Sequence, residues 1–251
     1  MDDERRKANS TSNMFIDSTI ENPNIKEIVQ AVAQLLFTTI LEDMNLGKKV
    51  VSETSEAYLF FEDKYLKDNP ELFNKPQIAI LLKTPTKEDI SDFIYALYDL
   101  LKFSGECCVI CLTYIYRLVA LTDLPILATN WRPLVLISLL VAQKMWDDFN
   151  LANNIFAEVY PFFDLSQINL LEIKFLQLIE YNLNVKQSIY TKYYLELKGL
   201  LPKNDILRPM DAFTMNLIDT KSKNYEENVK KNSRTSNDIV GSGKGTIYVI
   251  N

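Results

Sequence analysis

The stretch NWRPLVLISLLVAQKMWDD, residues 130–148, decides the fold. From Leu134 to Met145 it is apolar on nearly every side, with Ser138, Gln143 and Lys144 as the exceptions. A helix that is apolar all round must be surrounded by other helices, because only burial satisfies every face. Thr129 or Asn130 opens this helix. Trp131 and Pro133 fall in its first turn, where proline costs no intrahelical hydrogen bond. The spacing therefore predicts a central helix, and the rest of the chain must supply its shell.

Working outward, the preceding segment predicts two amphipathic helices. Thr86 is an N-cap candidate with Asp89 at the capping-box position, and Phe93, Ile94, Leu97, Leu100 and Leu101 form one stripe before Ser104 and Gly105 interrupt it. A second helix runs from about Cys107 to Leu121. On the other side, a short helix covers about Asn154 to Tyr160 and stops at Pro161. Ser166 is expected to cap a fifth, carrying Leu170, Leu171, Ile173, Phe175, Leu176, Leu178, Ile179 and Tyr181, which Asn182 and Asn184 end. A further helix spans about Ser188 to Leu200, with Tyr190, Tyr193 and Tyr194 read as packing residues. After Pro23, apolar residues from Ile25 to Ile40 recur at three- and four-residue steps, an amphipathic helix of roughly 18 residues. Residues 43–85 lose that period and read as a connecting segment whose aromatics pack on the main domain.

The expected organisation is all-α. A flexible leader covers 1–22, an N-terminal helix and connecting segment 23–85, and a five-helix unit 86–184. A C-terminal helical extension takes 185–220, with Asp211–Leu217 continuing a helix, and a flexible tail rich in Lys, Asn, Ser and Gly takes 221–251. No internal repeat is visible, so one five-helix unit fits.

Composition narrows the chemistry. The chain has no histidine, which removes the commonest general base and metal ligand and makes Ser-His-Asp or Cys-His catalysis impossible within it. Its three cysteines, Cys107, Cys108 and Cys111, crowd into five positions, too close and too few for a disulfide framework or a complete metal site. They read as small core residues. The net charge of -6 disfavours general nucleic-acid binding. The N-terminus shows no signal peptide, residue 2 is Asp rather than the glycine that myristoylation requires, and no run is judged long enough to span a bilayer. The expectation is an intracellular protein, cytoplasmic or nuclear, with no membrane anchor and no cofactor.

Three stretches carry a family resemblance. Asn130-Trp131-Arg132 with Leu139 to Asp148 resembles the third helix of the cyclin box, and its Lys-x-Trp-Asp-Asp form is similar to cyclin Y and to the yeast phosphate-regulon cyclins. Asn169-Leu170-Leu171-Glu172, Phe175-Leu176 and Tyr181-Asn182-Leu183-Asn184-Val185 resemble the fifth helix of that branch. Tyr190-Thr191-Lys192-Tyr193-Tyr194 resembles the helix that follows it. Met14 to Thr19 with Pro23 to Lys26 is similar to the lead-in of cyclin Y, so the resemblance covers roughly residues 13–200.

The resemblance implies a single five-helix cyclin box and a regulatory, non-catalytic subunit that binds a cyclin-dependent protein kinase of the PCTAIRE/PFTAIRE type beside its C-helix. It implies that Lys144 and Glu172 meet the kinase, with Val141, Met145, Leu176 and Tyr181 in the apolar part of the contact. The first box helix lacks the Met-Arg-Ala-Ile-Leu docking pattern of cell-cycle cyclins.

Plainer readings stand beside these roles. Lys144 at a helix end, and Glu172 in a first turn, would both suit the helix macrodipole. The alternative function is a transcription-factor-like binding module on the same fold. A carboxylate enzyme using Asp147 and Asp148 is disfavoured, because adjacent helical residues point about 100° apart. Lys230-Lys231 before Ser233, and Arg234 before Ser236, form basic-Ser patterns that could be phosphorylated and docked by a phosphoserine-binding adaptor.

Overall fold

The computed structural model describes residues 20, 23–71, 73–148 and 150–201. The N-terminal leader apart from Ile20, the helical continuation at 211–217 and the tail at 221–251 lie outside the described residues.

The chain enters through Pro23 and Asn24. The Asn24 side chain accepts from the backbone N–H groups of Lys26 and Glu27 and caps α1, Ile25–Asn45. Ile28, Val29, Val32, Leu36 and Ile40 bury the stripe seen in the sequence. At the end of α1, the buried Asp43 accepts from the Ile126 N–H at 2.8 Å and pairs with Lys48 at 2.9 Å. That anchors the helix to the loop before the central helix.

The connecting segment holds more structure than its missing period suggested. A 3₁₀ turn at Glu56–Phe60 is followed by α2, Glu62–Asp68, and α3, Lys75–Leu82. Each is eight residues or shorter, too brief for an apolar period to register. Local capping defines them instead: Ser55 caps the turn, and Asn74 forms a capping box with Gln77. Phe60, Phe61 and Tyr65 pack into the core, as expected of the aromatics here.

The box helices follow. Thr86 and Asp89 form the expected capping box on α4, Lys87–Leu101, with bonds of 2.8 and 3.1 Å. Helix α5 is Gly105–Thr122, with Ser104 as its N-cap residue. Helix α6 is Trp131–Trp146, and every residue from Pro133 to Gln143 is buried. The hub is a pair rather than one helix, since every residue of α5 from Cys107 to Ile115 is buried too. The three cysteines, expected in the core, form part of this buried run. By length and hydropathy α5 could cross a membrane, but its burial within the fold already accounts for its apolar character.

The shell closes with α7, Asn153–Val159, α8, Leu165–Leu178, and α9, Gln187–Leu200. The cap of α8 is Asp164, not Ser166. Its carboxylate accepts from the Gln167 N–H at 2.8 Å, and the Ser166 hydroxyl donates to it at 2.7 Å. Nor do Asn182 and Asn184 end α8. It ends at Leu178, and the turn follows through Glu180 and Tyr181, both in the left-handed region at φ 55° and 52°. Two successive non-glycine residues there are disfavoured, and α5 holds the turn. The Tyr114 hydroxyl donates to the Leu183 carbonyl at 2.8 Å, and Arg117 donates to the carbonyls of Asn182 and Asn184. Tyr194 is buried, and Tyr190 and Tyr193 are half-buried against the core, Tyr193 stacked on Tyr116. This agrees with the packing role expected of the three.

Two features of the packing carry testable energetics. The Pro23 carbonyl passes so close to α5 that a Cβ on Gly105 would lie 2.7 Å from its oxygen, whereas one on Gly199 would meet nothing within 4 Å. Gly→Ala in a helix is normally stabilising by about 0.5–1 kcal/mol. Gly199→Ala should follow that rule, while Gly105→Ala should lower stability by about 1–3 kcal/mol through overpacking. Urea unfolding of both variants checks the opposite signs.

Glu62 is fully buried. It accepts from Arg132 at 3.2 Å and from the Tyr160 hydroxyl at 2.7 Å. Burial pushes its carboxyl up to about 7 from the ordinary 4.5, against the opposing pull of Arg132 and Tyr160. Between pH 4.5 and 7 the folded state therefore holds more of this proton than the unfolded state, and its contribution to stability falls as pH rises through that window. Glu62→Gln should flatten the stability difference between pH 5 and pH 8 by up to about 3 kcal/mol relative to wild type. Denaturant titrations of both proteins across that range provide the measurement.

Candidate functional site

Lys144 lies in the last turn of α6, and Glu172 lies midway along α8. Packing of α6 against α8 brings their side chains together, with Lys144 Nζ 2.6 Å from Glu172 Oε1. The two side chains are 31% and 16% exposed, so the pair forms on the rim of the core and opens to solvent. The dipole argument holds for Lys144. It fails for Glu172, because α8 starts at Leu165 and leaves the acid beyond its first turn. A rim pair of this kind contributes only about 0–1 kcal/mol to folding.

The second oxygen of Glu172 is also engaged. Asn153, at the start of α7, donates Nδ2 to Glu172 Oε2 at 2.7 Å and to Asn169 Oδ1 at 2.7 Å. Neither asparagine was singled out from sequence as part of this site. Asn169 carried a usable signal, since it sits three residues before Glu172 and shares its helical face. Asn153 carried none, because only the packing of α7 on α8 brings it here.

Exposed apolar residues lie on the same elements as the pair. Met145 is 53% exposed, and Leu170 and Ile173 are exposed on α8. Leu176 is half-buried and leans on the core. Tyr181 is 63% exposed because the left-handed turn carries its ring outward. Val141 differs from the expectation. It is 2% exposed within the all-round buried section of α6, so it belongs to the core and offers no side-chain surface. Ser233 and Ser236 lie outside the described residues.

Other chemistry finds little to build on. Asp147 accepts from the Ser104 N–H through both oxygens, at 3.3 and 3.2 Å, stitching the end of α6 to the start of α5. The three cysteines are buried and unbridged. Burial pushes the Cys107 thiol up to about 12 and raises Cys108 and Cys111 as well, which keeps them from thiolate chemistry. Among the described residues, no cluster of Cys, Asp and Glu is placed to hold a metal ion. A cleft of about 180 Å³ lies between Glu53, Tyr58, Lys64, Lys67 and Asp68. It is smaller than the roughly 300–1,000 Å³ of typical ligand pockets, and internal pairs at 2.6 Å already neutralise its charges.

The arrangement is thus a helical scaffold with a partly exposed, preformed ion pair between two of its helices. The family model described as Cyclin matches residues 27–183, from α1 to the turn after α8. That match covers well over half of the chain, and the chain belongs to the cyclin family.

Proposed function

We propose that this chain is a cyclin Y-like regulatory subunit that binds and activates a cyclin-dependent protein kinase of the PCTAIRE/PFTAIRE type. The observation that carries this reading is the partly exposed 2.6 Å pair between Lys144 and Glu172, with the exposed Met145 next to Lys144 in the chain. Family membership supplies the general role of kinase regulator. The Lys-x-Trp-Asp-Asp form of residues 144–148 supports the narrower assignment.

A kinase of this kind is active only when its strand lysine pairs with the glutamate of its C-helix. A partner that binds the helix-in state more tightly shifts the equilibrium toward it. Moving that balance from 1:99 to 99:1 takes about 5.5 kcal/mol of differential affinity. An interface of ordinary size reaches this when an apolar centre surrounds a few placed charges. Lys144 uses one of its three N–H donors on Glu172, leaving two for acceptors on the kinase. Met145, Leu176 and Tyr181 supply the apolar contact.

Lys144→Glu and Glu172→Lys should each weaken kinase binding by about 2–5 kcal/mol, the cost of breaking a desolvated charge pair. The double exchange Lys144→Glu/Glu172→Lys restores the internal pair with reversed polarity, and should fold like wild type yet still fail to bind. Affinity purification with mass spectrometry identifies the kinase, and titration of the variants measures the loss. Unchanged binding in both single variants would remove this face from the interface.

A further inference from the structure

Glu172 has two carboxylate oxygens, and each has its own partner before any kinase arrives. Lys144 takes Oε1, and the amide of Asn153 takes Oε2. The same amide nitrogen bonds Asn169 Oδ1, one turn earlier on α8. Asn153 is therefore fastened to α8 at two points, both acceptors. Turning its amide over would set Oδ1 against the Glu172 carboxylate, so the acid itself dictates which way the amide faces. In this orientation Asn153 Oδ1 is buried and has no hydrogen-bond partner. A buried acceptor left unpaired costs stability, and the return on that cost is a Glu172 side chain held in one rotamer.

We infer that Asn153 is a positioning residue for the partner-binding ion pair. By fixing Glu172 it fixes the direction in which Lys144 presents its two remaining donors. This inference rests on the kinase-binding reading given above and deepens it. Without the Asn153 amide, Glu172 Oε2 loses its protein donor and the carboxylate can rotate away from Lys144. The pair then has to be ordered at the moment of binding, and that entropic cost appears as weaker affinity. The short α7 thereby acquires a task that the box helices alone do not perform: it braces α8 from outside, at the level of the charged pair.

A double-mutant cycle tests this on the full-length chain, using the cyclin-dependent kinase that copurifies with wild type. Asn153→Ala should weaken binding about ten-fold in the wild-type background and have almost no further effect in a Glu172→Gln background, since coupled residues are non-additive. Asn153→Asp keeps the shape but replaces the donor with a second carboxylate, and should weaken binding more than Asn153→Ala. If Asn153→Ala impairs folding, Asn169→Ala removes the other anchor of the same amide and should show the same non-additivity with Glu172→Gln. Equal losses in both backgrounds would mean that Asn153 acts through general stability, and would overturn the inference. Unchanged binding in Asn153→Ala, with binding lost in Lys144→Glu, would overturn the inference while leaving the kinase-binding reading intact. Unchanged binding in Lys144→Glu as well would overturn both.

Discussion

The packing of α6 against α5 is the constraint on which everything else depends. Both helices bury long continuous sections, Pro133 to Gln143 and Cys107 to Ile115, so neither can face water on any side along those lengths. Burial at this density requires that other helices close over them; α1, α8 and α9 do so, while α4 packs on α1 and meets α6 through Phe93 against Trp131. The hydrophobic term drives this association without fixing directions. Orientation comes from polar stitches at the helix ends. The fully buried Asn130 folds the loop into α6 by accepting from the Leu127 N–H and donating to the Pro125 carbonyl. Asp147 then ties the far end of α6 to the start of α5.

The proposed function depends on where this packed pair stops. Lys144 is the first residue of α6 beyond the fully buried run, so its charged head reaches the rim while its stem stays against the core. Glu172 meets it from α8, the helix that packs beside α6. Both residues sit on regular helices whose other faces are locked in the core, which makes the pair more precisely placed than any loop could make it. The left-handed turn after α8 carries Tyr181, the other residue proposed for this contact. Held by Arg117 and Tyr114 from α5, it carries the Tyr181 ring into solvent, so the hub helix also shapes the edge of the proposed contact.

Some of this was legible before any coordinates. The all-round apolar character of residues 134–145 marked a central helix, and Thr86 with Asp89 marked a helix start, because both signals are local and rest on spacing alone. The two short helices of the connecting segment escaped notice, since seven and eight residues make only about two turns, too few for an apolar repeat to stand out. The three cysteines were expected in the core and lie there, but the full burial of α5 from Cys107 to Ile115 was not foreseen, because its apolar residues were assigned to one side of an amphipathic helix. The resemblance placed Val141 in the contact, but three positions before Lys144 it points inward from a section of helix that is buried all round.

Sequence alone determined the helical class, the central helix and the cap at Thr86, since each depends on residue type and near-neighbour spacing, and the resemblance to cyclins singled out Lys144 and Glu172. Tertiary structure decided that the lysine and the acid, 28 positions apart, stand 2.6 Å from each other. It also brought Asn153 to the second oxygen of Glu172 and turned Tyr181 outward while turning Val141 inward. The physical reason is that burial patterns specify which face of a helix is covered, whereas the rotation and axial offset between two packed helices emerge only when all their neighbours are in place.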